Sequence, residues 1–372
     1  MLSVNQVLIS KLILNNFRNF LVKEFYFSSS NVIFLGCNGV GKTNAMEAIS
    51  LIARNNSLRN SEIEEMINNQ SQQFINYYEL LNHQFIENIT VSFDNSIKKK
   101  SWQINGEPYN AKRQSDIKNF FINFIFLNPQ IEQLFVLGKS SRRDYLDKII
   151  TDIDLSHLNR INSYQKLLKE RLIILQNFKQ DSKYKSWLEI VENKIVELGI
   201  AIASARIESV EFFNKAIASF ASNFPKVKLL VIGDVENAVM KHSSIQIEEF
   251  YKKKLEESRA HDLESFKTNF GIHRSDFDAI FLNKNISATK CSTGEQKAIM
   301  ASITIARAKI SVNYKNQPTV MMIDEIVSHL DNKRKNDLFE EIFAIKVQSF
   351  FSATSPDLLP NEHLQKMQQI IF

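Results

Sequence analysis

The sequence predicts an α/β protein in which mixed sheets with helices are interrupted by a mainly α-helical second lobe. A glycine-rich loop at 36–43 lies between an apolar run and a helical pattern, and a second apolar run at 320–323 ends in two acidic residues. Between them, residues 141–260 contain one proline and carry apolar residues at helical spacing. A sheet-containing core split by a long helical insertion explains all three observations.

The N-terminal third predicts mostly strands. Apolar residues from Val7 to Phe27 and from Asn31 to Leu35 indicate strands that lead into the loop. A helix follows over Thr43–Ala53, because its apolar residues share one helical face. Residues 89–109 predict a hairpin with the turn pair Asn105-Gly106, and 121–127 predicts another buried strand.

After residue 141 the pattern becomes helical. Strand signals return over 279–286, a helix is predicted over 292–310, and the apolar run 320–323 is predicted to be a buried strand. We therefore expect three segments: an N-terminal part of the core at 1–140, a helical lobe at 141–264 and a C-terminal part of the core at 265–372.

Composition excludes several classes of protein. The chain has 372 residues, 44% of them hydrophobic, which is enough for a packed core and excludes a disordered tail. No stretch of about 18 apolar residues predicts a membrane span, so we expect a cytoplasmic protein. Two distant cysteines, Cys37 and Cys291, predict reduced thiols. A net charge of +5 permits an acidic partner without requiring one.

Three of only nine glycines lie in the loop GCNGVGKT, which matches the pattern G-x-x-x-x-G-K-[ST]. In this pattern backbone amides surround the phosphates of a nucleotide, the lysine contacts the β- and γ-phosphates, and the hydroxyl binds Mg²⁺. We predict ATP and Mg²⁺ as cofactors, with Lys42 in a catalytic role and Thr43 as a metal ligand. The predicted nucleotide-binding residues of the loop are Gly36, Cys37, Asn38, Gly39, Val40, Gly41, Lys42, Thr43 and Asn44.

The strand at 320–323 supplies the second half of the predicted site. Asp324 is expected to bind Mg²⁺ and Glu325 to polarise the attacking water. Upstream, Ser292-Thr293-Gly294-Glu295 begins a helix with a capping box, so a well-started helix is one interpretation. The other is the signature of ABC-type ATPases, in which Ser292 and Gly294 contact the γ-phosphate held by a second subunit.

Lys42 and Asp324 are 282 positions apart, so an ABC-type ATPase head would have to be split by the helical lobe. If that lobe forms a hairpin, each arm has at most about 60 residues and spans at most ~90 Å. This is too short for a chromosome-condensing coiled coil.

Over nearly its whole length the sequence resembles the RecF family of bacterial recombination-repair ATPases. The resemblance is carried by six segments: LILNNFRNF, GCNGVGKTNAMEAI, LNPQIEQLFVLGKSSRRDYLD, KTNFGIHRSD, CSTGEQK and MMIDEIVSHLD. It implies that Arg18 contacts nucleotide, that Asp331 lies in the D-loop at a dimer seam, and that Thr354 replaces a switch histidine. The sequence departs from the family pattern at Ile272, Ser275, Cys291 and His329.

The resemblance also implies a function. We expect an ATP-dependent homodimer that clamps double-stranded and gapped DNA and is a weak, DNA-stimulated ATPase. The family acts in gap repair, replication-fork recovery and SOS induction, with RecO and RecR as partners in loading the RecA recombinase.

Two other classes stay open: a transporter-energising ATPase, and a nucleotide-gated scaffold without useful turnover. The roles of several basic residues also stay open. Arg142 and Arg143 are interpreted either as contacts to DNA phosphates or as structural supports, and His273 with Arg274 either as a site near the nucleotide or as a structural pair. The lysine runs 98–100 and 252–254 are interpreted as DNA contacts or solvated faces.

Overall fold

The computed structural model describes residues 7–53, 62–81, 86–109, 122–128, 131, 133–177, 183–315, 317–325 and 330–372. Packing divides the chain into two compact units. The first contains Met1–Glu132, Phe220–Pro225 and Met300–Phe372, and the second contains Gln133–Ser219 and Lys226–Ile299. The domain boundaries expected at 140 and 264 stay a prediction, because these units are defined by packing within one chain and not by independent folding.

In the first unit, an antiparallel sheet has the strand order β2-β1-β4-β5-β6-β7. Alternate side chains of β4 are buried, as expected for a sheet with one face in the core. The hairpin predicted within 89–109 is confirmed as β5–β6, and the Asn105-Gly106 turn joins β6 to β7. The strands are β1 Leu8–Phe17, β2 Phe20–Tyr26, β4 Gln73–Leu81, β5 Ile86–Asp94, β6 Lys99–Ile104 and β7 Glu107–Pro108.

The first unit also contains a five-stranded parallel sheet of order β14-β3-β13-β12-β8. Every residue of β12 and β13 is buried, which explains the apolar run 320–323 of β12. Phe121, the predicted first residue of β8, lies outside the described residues. The strands are β3 Asn31–Leu35, β8 Asn123–Leu127, β12 Thr319–Ile323, β13 Gln348–Ala353 and β14 Gln368–Ile371. Among the described residues, the helices that lie wholly in this unit are α1 Lys42–Ser50, α8 Asn332–Ile345 and α9 Asn361–Leu364.

The second unit is mainly helical, as predicted. Its two longest described helices, α4 and α6, have 36 and 22 residues and so span about 54 and 33 Å. The helices are α2 Lys139–Thr151, α3 His157–Asn177, α4 Lys183–Ala218, α5 Asp234–Lys241, α6 Ser244–Ser265 and the start of α7 Thr293–Asn313. Short 3₁₀ helices include Ile272–Arg274 and Ala288–Lys290.

One strand of the second unit corrects the sequence analysis. Residues 227–232, predicted to lie in a helical lobe, form strand β9. β9 pairs with β10 Asp276–Phe281, which also pairs with β11 Ile286–Ser287. The strand was missed because its six residues lie between long helices and its partner comes more than 40 residues later.

Buried charges connect the helices of the second unit. Arg206, 1% exposed, donates hydrogen bonds to Asp147 and Glu236 and to the backbone oxygen of Ile272. The Ser275 hydroxyl lies 2.8 and 2.7 Å from the two carboxylate oxygens of Glu236. Buried charges of this kind are tolerated only when each is paired and hydrogen-bonded. Ser275, a departure from the RecF pattern, therefore completes the shell of a buried carboxylate.

We expect Ser275→Asp, which restores the acid of the family pattern, to destabilise this protein. A second carboxylate would lie against Glu236, and close like charges in a buried site cost on the order of 2–4 kcal/mol. Ser275→Ala only removes a donor and should cost about 1–2 kcal/mol. Denaturant unfolding of both variants measures their free energies of unfolding. Adding Glu236→Gln to the Ser275→Asp variant should restore part of the lost stability, because it removes one of the two like charges. Wild-type stability of Ser275→Asp would contradict this account.

Candidate nucleotide-binding site

The loop between β3 and α1 has the backbone that its sequence predicts. Gly36, Gly39 and Gly41 have φ angles of 152°, 88° and 112°, a region that residues with a Cβ rarely adopt. A Cβ added at Gly39 would meet nothing within 4 Å. Glycine is therefore required here by the positive φ angle and not by close packing, and the bare backbone faces open space. The loop thus presents its backbone as a phosphate cradle does.

Lys42, the first residue of α1, extends back across the loop. Its amine donates to the backbone oxygens of Gly36 and Cys37, at 2.6 and 2.9 Å, and the residue is only 4% exposed. Within the described part of the chain, no carboxylate pairs with this amine. The first turn of α1 also has no side-chain cap and no acidic residue. A buried cation without an anion, at a helix N-terminus, is the environment that binds phosphate.

Asn19, in the β1–β2 turn, supports this loop and was missed by the sequence analysis. Its amide nitrogen donates to the backbone oxygen of Val40 at 3.2 Å, and its amide oxygen accepts from Asn44 at 2.8 Å. A Cβ at Gly41 would lie 2.7 Å from the same amide nitrogen. Asn19 therefore lies against the loop where it enters the helix. Only its presence in the segment LILNNFRNF hinted at a role.

The Arg18 side chain forms hydrogen bonds within the protein. Its guanidinium donates twice to the carboxylate of Glu47, both at 2.8 Å, and once to the backbone oxygen of Glu65. Glu47 lies on α1 and is fully buried. The pair fixes the helix that carries Lys42 and Thr43, and the nucleotide contact of Arg18 stays a prediction.

The acidic pair Asp324 and Glu325 follows β12, as predicted. A buried serine of β13, Ser352, donates its hydroxyl to Asp324 and accepts the backbone N–H of Glu325 at 3.1 Å. Glu325 has a φ of 56°, a left-handed conformation that is costly for a residue with a Cβ. Ser352 was missed by the sequence analysis, because a serine in a strand carries no motif.

The parallel sheet brings the phosphate loop and the acidic pair to one edge. Leu35 pairs with Ala353, and Ile323 pairs with Phe351, so β3 and β12 end on either side of β13. Two strand spacings separate them, roughly 10 Å. The hydroxyl of Thr43 and the carboxylate of Asp324 are oxygen ligands of the kind Mg²⁺ prefers, and phosphate oxygens usually complete such a site. These residues fit a nucleotide with its magnesium ion.

The signature segment belongs to the second unit, where it begins α7. The predicted capping box is confirmed, since Glu295 accepts from both the backbone N–H and the hydroxyl of Ser292 at 2.9 Å. A Cβ added at Gly294 would meet nothing within 4 Å. Cys291 is half-buried, and burial raises the pKa of its thiol.

Three other predicted residues, His329, Asp331 and Thr354, follow the acidic pair in the chain. Asp331 caps α8 by accepting the backbone N–H of Arg334 at 2.9 Å, and its side chain is exposed. Thr354 is exposed directly after β13. His329 lies outside the described residues.

The arginine pair of α2 supports the fold of the second unit. Arg142, 8% exposed, donates twice to the carboxylate of Asp276, at 2.9 and 2.8 Å. Arg143 donates to the backbone oxygen of Ser275. His273 accepts from or donates to Tyr164 at Nδ1 and contacts the Thr268 oxygen at Nε2. These contacts favour the structural interpretation of the arginine pair over a DNA contact, and that of His273 over a place near the nucleotide.

The lysine runs are partly engaged as well. Burial lowers the pKa of Lys100, whose amine lies 5.0 Å from the centre of the Trp102 ring. Lys252 and Lys254 pair with neighbouring glutamates on α6. DNA contact by the other lysines of the two runs stays a prediction.

Comparison with known proteins places this architecture in a family. The family model described as the RecF/RecN/SMC N-terminal domain matches residues 8–371. The DNA replication and repair protein RecF of Rickettsia felis is 31% identical over 368 residues, covering 99% of this chain and 98% of that protein. Its counterpart in Rickettsia typhi is 32% identical over 359 residues, covering 96% and 97%.

Solved structures agree on the fold. One is a structure, with ATPrS, of RecF, a recombination mediator protein of the RecFOR pathway. It has a TM-score of 0.75 at 24% sequence identity, and the match covers 95% of this chain and 94% of that chain. An Smc head domain from Pyrococcus furiosus has a TM-score of 0.54 at 17% identity, covering 95% and 91%.

The fold, with the glycine-rich loop and the acidic pair at one edge of the parallel sheet, therefore defines an ABC-type ATPase head of the RecF/RecN/SMC class. Within that class, the chain belongs to the RecF family. No helix among the described residues is long and apolar enough to span a membrane.

Proposed function

We propose that this protein is an ATP-binding ATPase of DNA replication and recombinational repair. The observation that carries the proposal is the buried amine of Lys42, which lies in a glycine loop with no carboxylate partner in the described part of the chain. The curated relatives are named DNA replication and repair protein RecF, and a RecF structure contains ATP. The names of the relatives suggest the cellular process, and the geometry of the loop suggests that the ligand is a nucleotide phosphate.

In the proposed mechanism the loop amides and Lys42 bind the β- and γ-phosphates of ATP, and Thr43 and Asp324 hold Mg²⁺. The metal, when bound, neutralises charge that develops on the transferred phosphate. Ser352 orients Asp324 through its hydroxyl and fixes the Glu325 backbone, so that the Glu325 carboxylate can position the attacking water.

The proposed active form is an ATP-dependent homodimer. Ser292 and Gly294 of one copy contact the γ-phosphate held by the other, and Asp331 lies at the seam. Ser292 is exposed and the space over Gly294 is open, which supports an external contact. Closing and reopening of the dimer would clamp and release double-stranded and gapped DNA, with weak hydrolysis serving as the release step.

The wider process is proposed from the relatives. The protein would act in the cytoplasm in gap repair, fork recovery and SOS induction, with RecO and RecR, to load the RecA recombinase. A net charge of +5 is compatible with DNA binding. Arg142 pairs with Asp276, which supports its structural interpretation, so other basic residues would have to contact the duplex.

Coupling between ATP and DNA tests the clamp. ATP should raise the affinity for gapped duplex DNA, and by linkage DNA should raise the affinity for ATP by the same factor, typically ~5–150-fold. We expect Ser292→Arg to retain ATP binding but to lose the dimer and this coupling, because the larger side chain fills the place of the γ-phosphate. Fluorescence anisotropy with and without ATP and Mg²⁺ measures the coupling, and light scattering measures the dimer.

DNA affinity that is indifferent to ATP would reject the clamp. ATP binding without any DNA affinity would favour the two alternatives that do not act on DNA. Turnover of ATP would then favour the transporter-type ATPase, and its absence the nucleotide-gated scaffold.

A further inference from the structure

The backbone N–H and the hydroxyl of Ser292 are engaged by one neighbour. Both its backbone N–H and its hydroxyl donate to the same carboxylate oxygen of Glu295, Oε2, at 2.9 Å. Its Oγ also accepts the Glu295 backbone N–H at 3.4 Å. The donors that a γ-phosphate would require are therefore already used by an anionic group of the same chain.

The second oxygen of that carboxylate is held by a lysine from another element. Lys284, in the loop between β10 and β11, places its amine 2.6 Å from Glu295 Oε1. Lys284 and the donors of Ser292 lower the pKa of Glu295 to about 2. Glu295 is thus a carboxylate at neutral pH, and it is buried, whereas the Lys284 side chain is 60% exposed.

The surface next to these groups has room for a ligand from outside. Gly294 has no positive φ, and its missing Cβ would touch nothing. Gly233 differs, because a Cβ there would lie 2.1 Å from the Glu236 carboxylate. Among the described residues nothing requires glycine at position 294, whereas close approach of an external group would require it.

We propose that Lys284, Ser292 and Glu295 form a signature latch, in which the Glu295 carboxylate competes with the incoming γ-phosphate for the donors of Ser292. The inference rests on the proposed function, because the phosphate belongs to ATP on a second copy of the chain. When the phosphate takes the Ser292 donors, Lys284 remains on Glu295 and compensates its charge. Lys284 is therefore a positioning residue that makes the exchange of acceptors favourable.

The latch predicts opposite effects of its two charged residues. Glu295→Gln keeps the size of the side chain but is a weaker, uncharged acceptor, so the ATP-bound dimer should tighten at least about threefold. Lys284→Met leaves Glu295 with Ser292 as its remaining partner and with an uncompensated charge near the phosphate. Its dimer should weaken roughly threefold to fivefold, the range of a partly exposed ion pair.

Sedimentation of the full chain with a slowly hydrolysed ATP analogue and Mg²⁺ measures the dimer dissociation constants. The double variant is decisive, because Lys284→Met should have no effect in the Glu295→Gln background if the lysine acts through the carboxylate. Lys284→Arg should restore wild-type dimers. Lys290→Met is the matched control, since Lys290 is an exposed lysine of the same segment with no contact to Glu295.

Dimers of Glu295→Gln that are no tighter than wild type, at unchanged thermal stability, would overturn the latch. If that variant does not fold, Lys284→Met decides alone, because it changes an exposed side chain, and wild-type dimers would then overturn the proposal. Absence of any ATP-dependent dimer of the unchanged protein is a different result. It would reject the proposed function, and the latch with it.

Discussion

Lys42→Ala is expected to abolish productive ATP binding, with a loss of affinity of at least about 10²-fold. The amine is the buried cation of the phosphate loop, and a methyl group cannot replace charge-assisted contacts to the β- and γ-phosphates. The fold should persist, because the amine's bonds to described residues go to two loop carbonyls. Calorimetric titration of ATP into the variant measures the loss.

The control for this experiment is Lys241→Ala, which removes an exposed lysine at the end of α5. Both variants lose one positive charge, so a general effect of net charge would appear in both. ATP affinity of Lys42→Ala equal to that of wild type, in a folded protein, would disprove the assignment of the phosphate loop.

Glu325→Gln is expected to lower the rate of ATP hydrolysis by roughly 10² or more while ATP binding and the dimer persist. The amide keeps the shape of the side chain and cannot accept a proton from water. The backbone around it should be unchanged, because Glu325 contacts Ser352 through its main-chain N–H. Phosphate release under saturating ATP measures the rate, and sedimentation measures the dimer.

Glu340→Gln, an exposed glutamate on α8, provides the comparison for loss of one carboxylate. If Glu325→Gln hydrolyses ATP at the wild-type rate, another group positions the water. Loss of ATP binding together with hydrolysis would instead indicate that the carboxylate contributes to the nucleotide pocket itself.

Several features of the site could be predicted from sequence because they are local. The phosphate loop needs glycine, lysine and threonine at fixed spacing within one turn and the start of one helix, so GCNGVGKT is sufficient to identify it. Ser292 and Glu295 of the capping box are three positions apart, and the box was predicted on the same basis. The acidic pair was found because β12 is an uninterrupted apolar run.

Other features depend on residues distant in sequence. Asn19 contacts a loop residue 21 positions away, Ser352 contacts Asp324 28 positions away, and Arg142 pairs with Asp276 134 positions away. Each is a common polar residue in an ordinary setting. Its partner is brought near by sheet order or helix packing, and no local pattern encodes that order.

The sequence by itself determined the ligand chemistry of this protein: a glycine loop with one lysine, an acidic pair after a buried strand, and a capped signature helix. The tertiary structure decided which polar groups hold those motifs in place, and it assigned Arg142 to an ion pair and residues 227–232 to a strand. The physical reason is the distance along the chain over which each interaction acts. Backbone conformation and capping act over a few residues, whereas pairing of buried charges and strands depends on the packing of the whole unit.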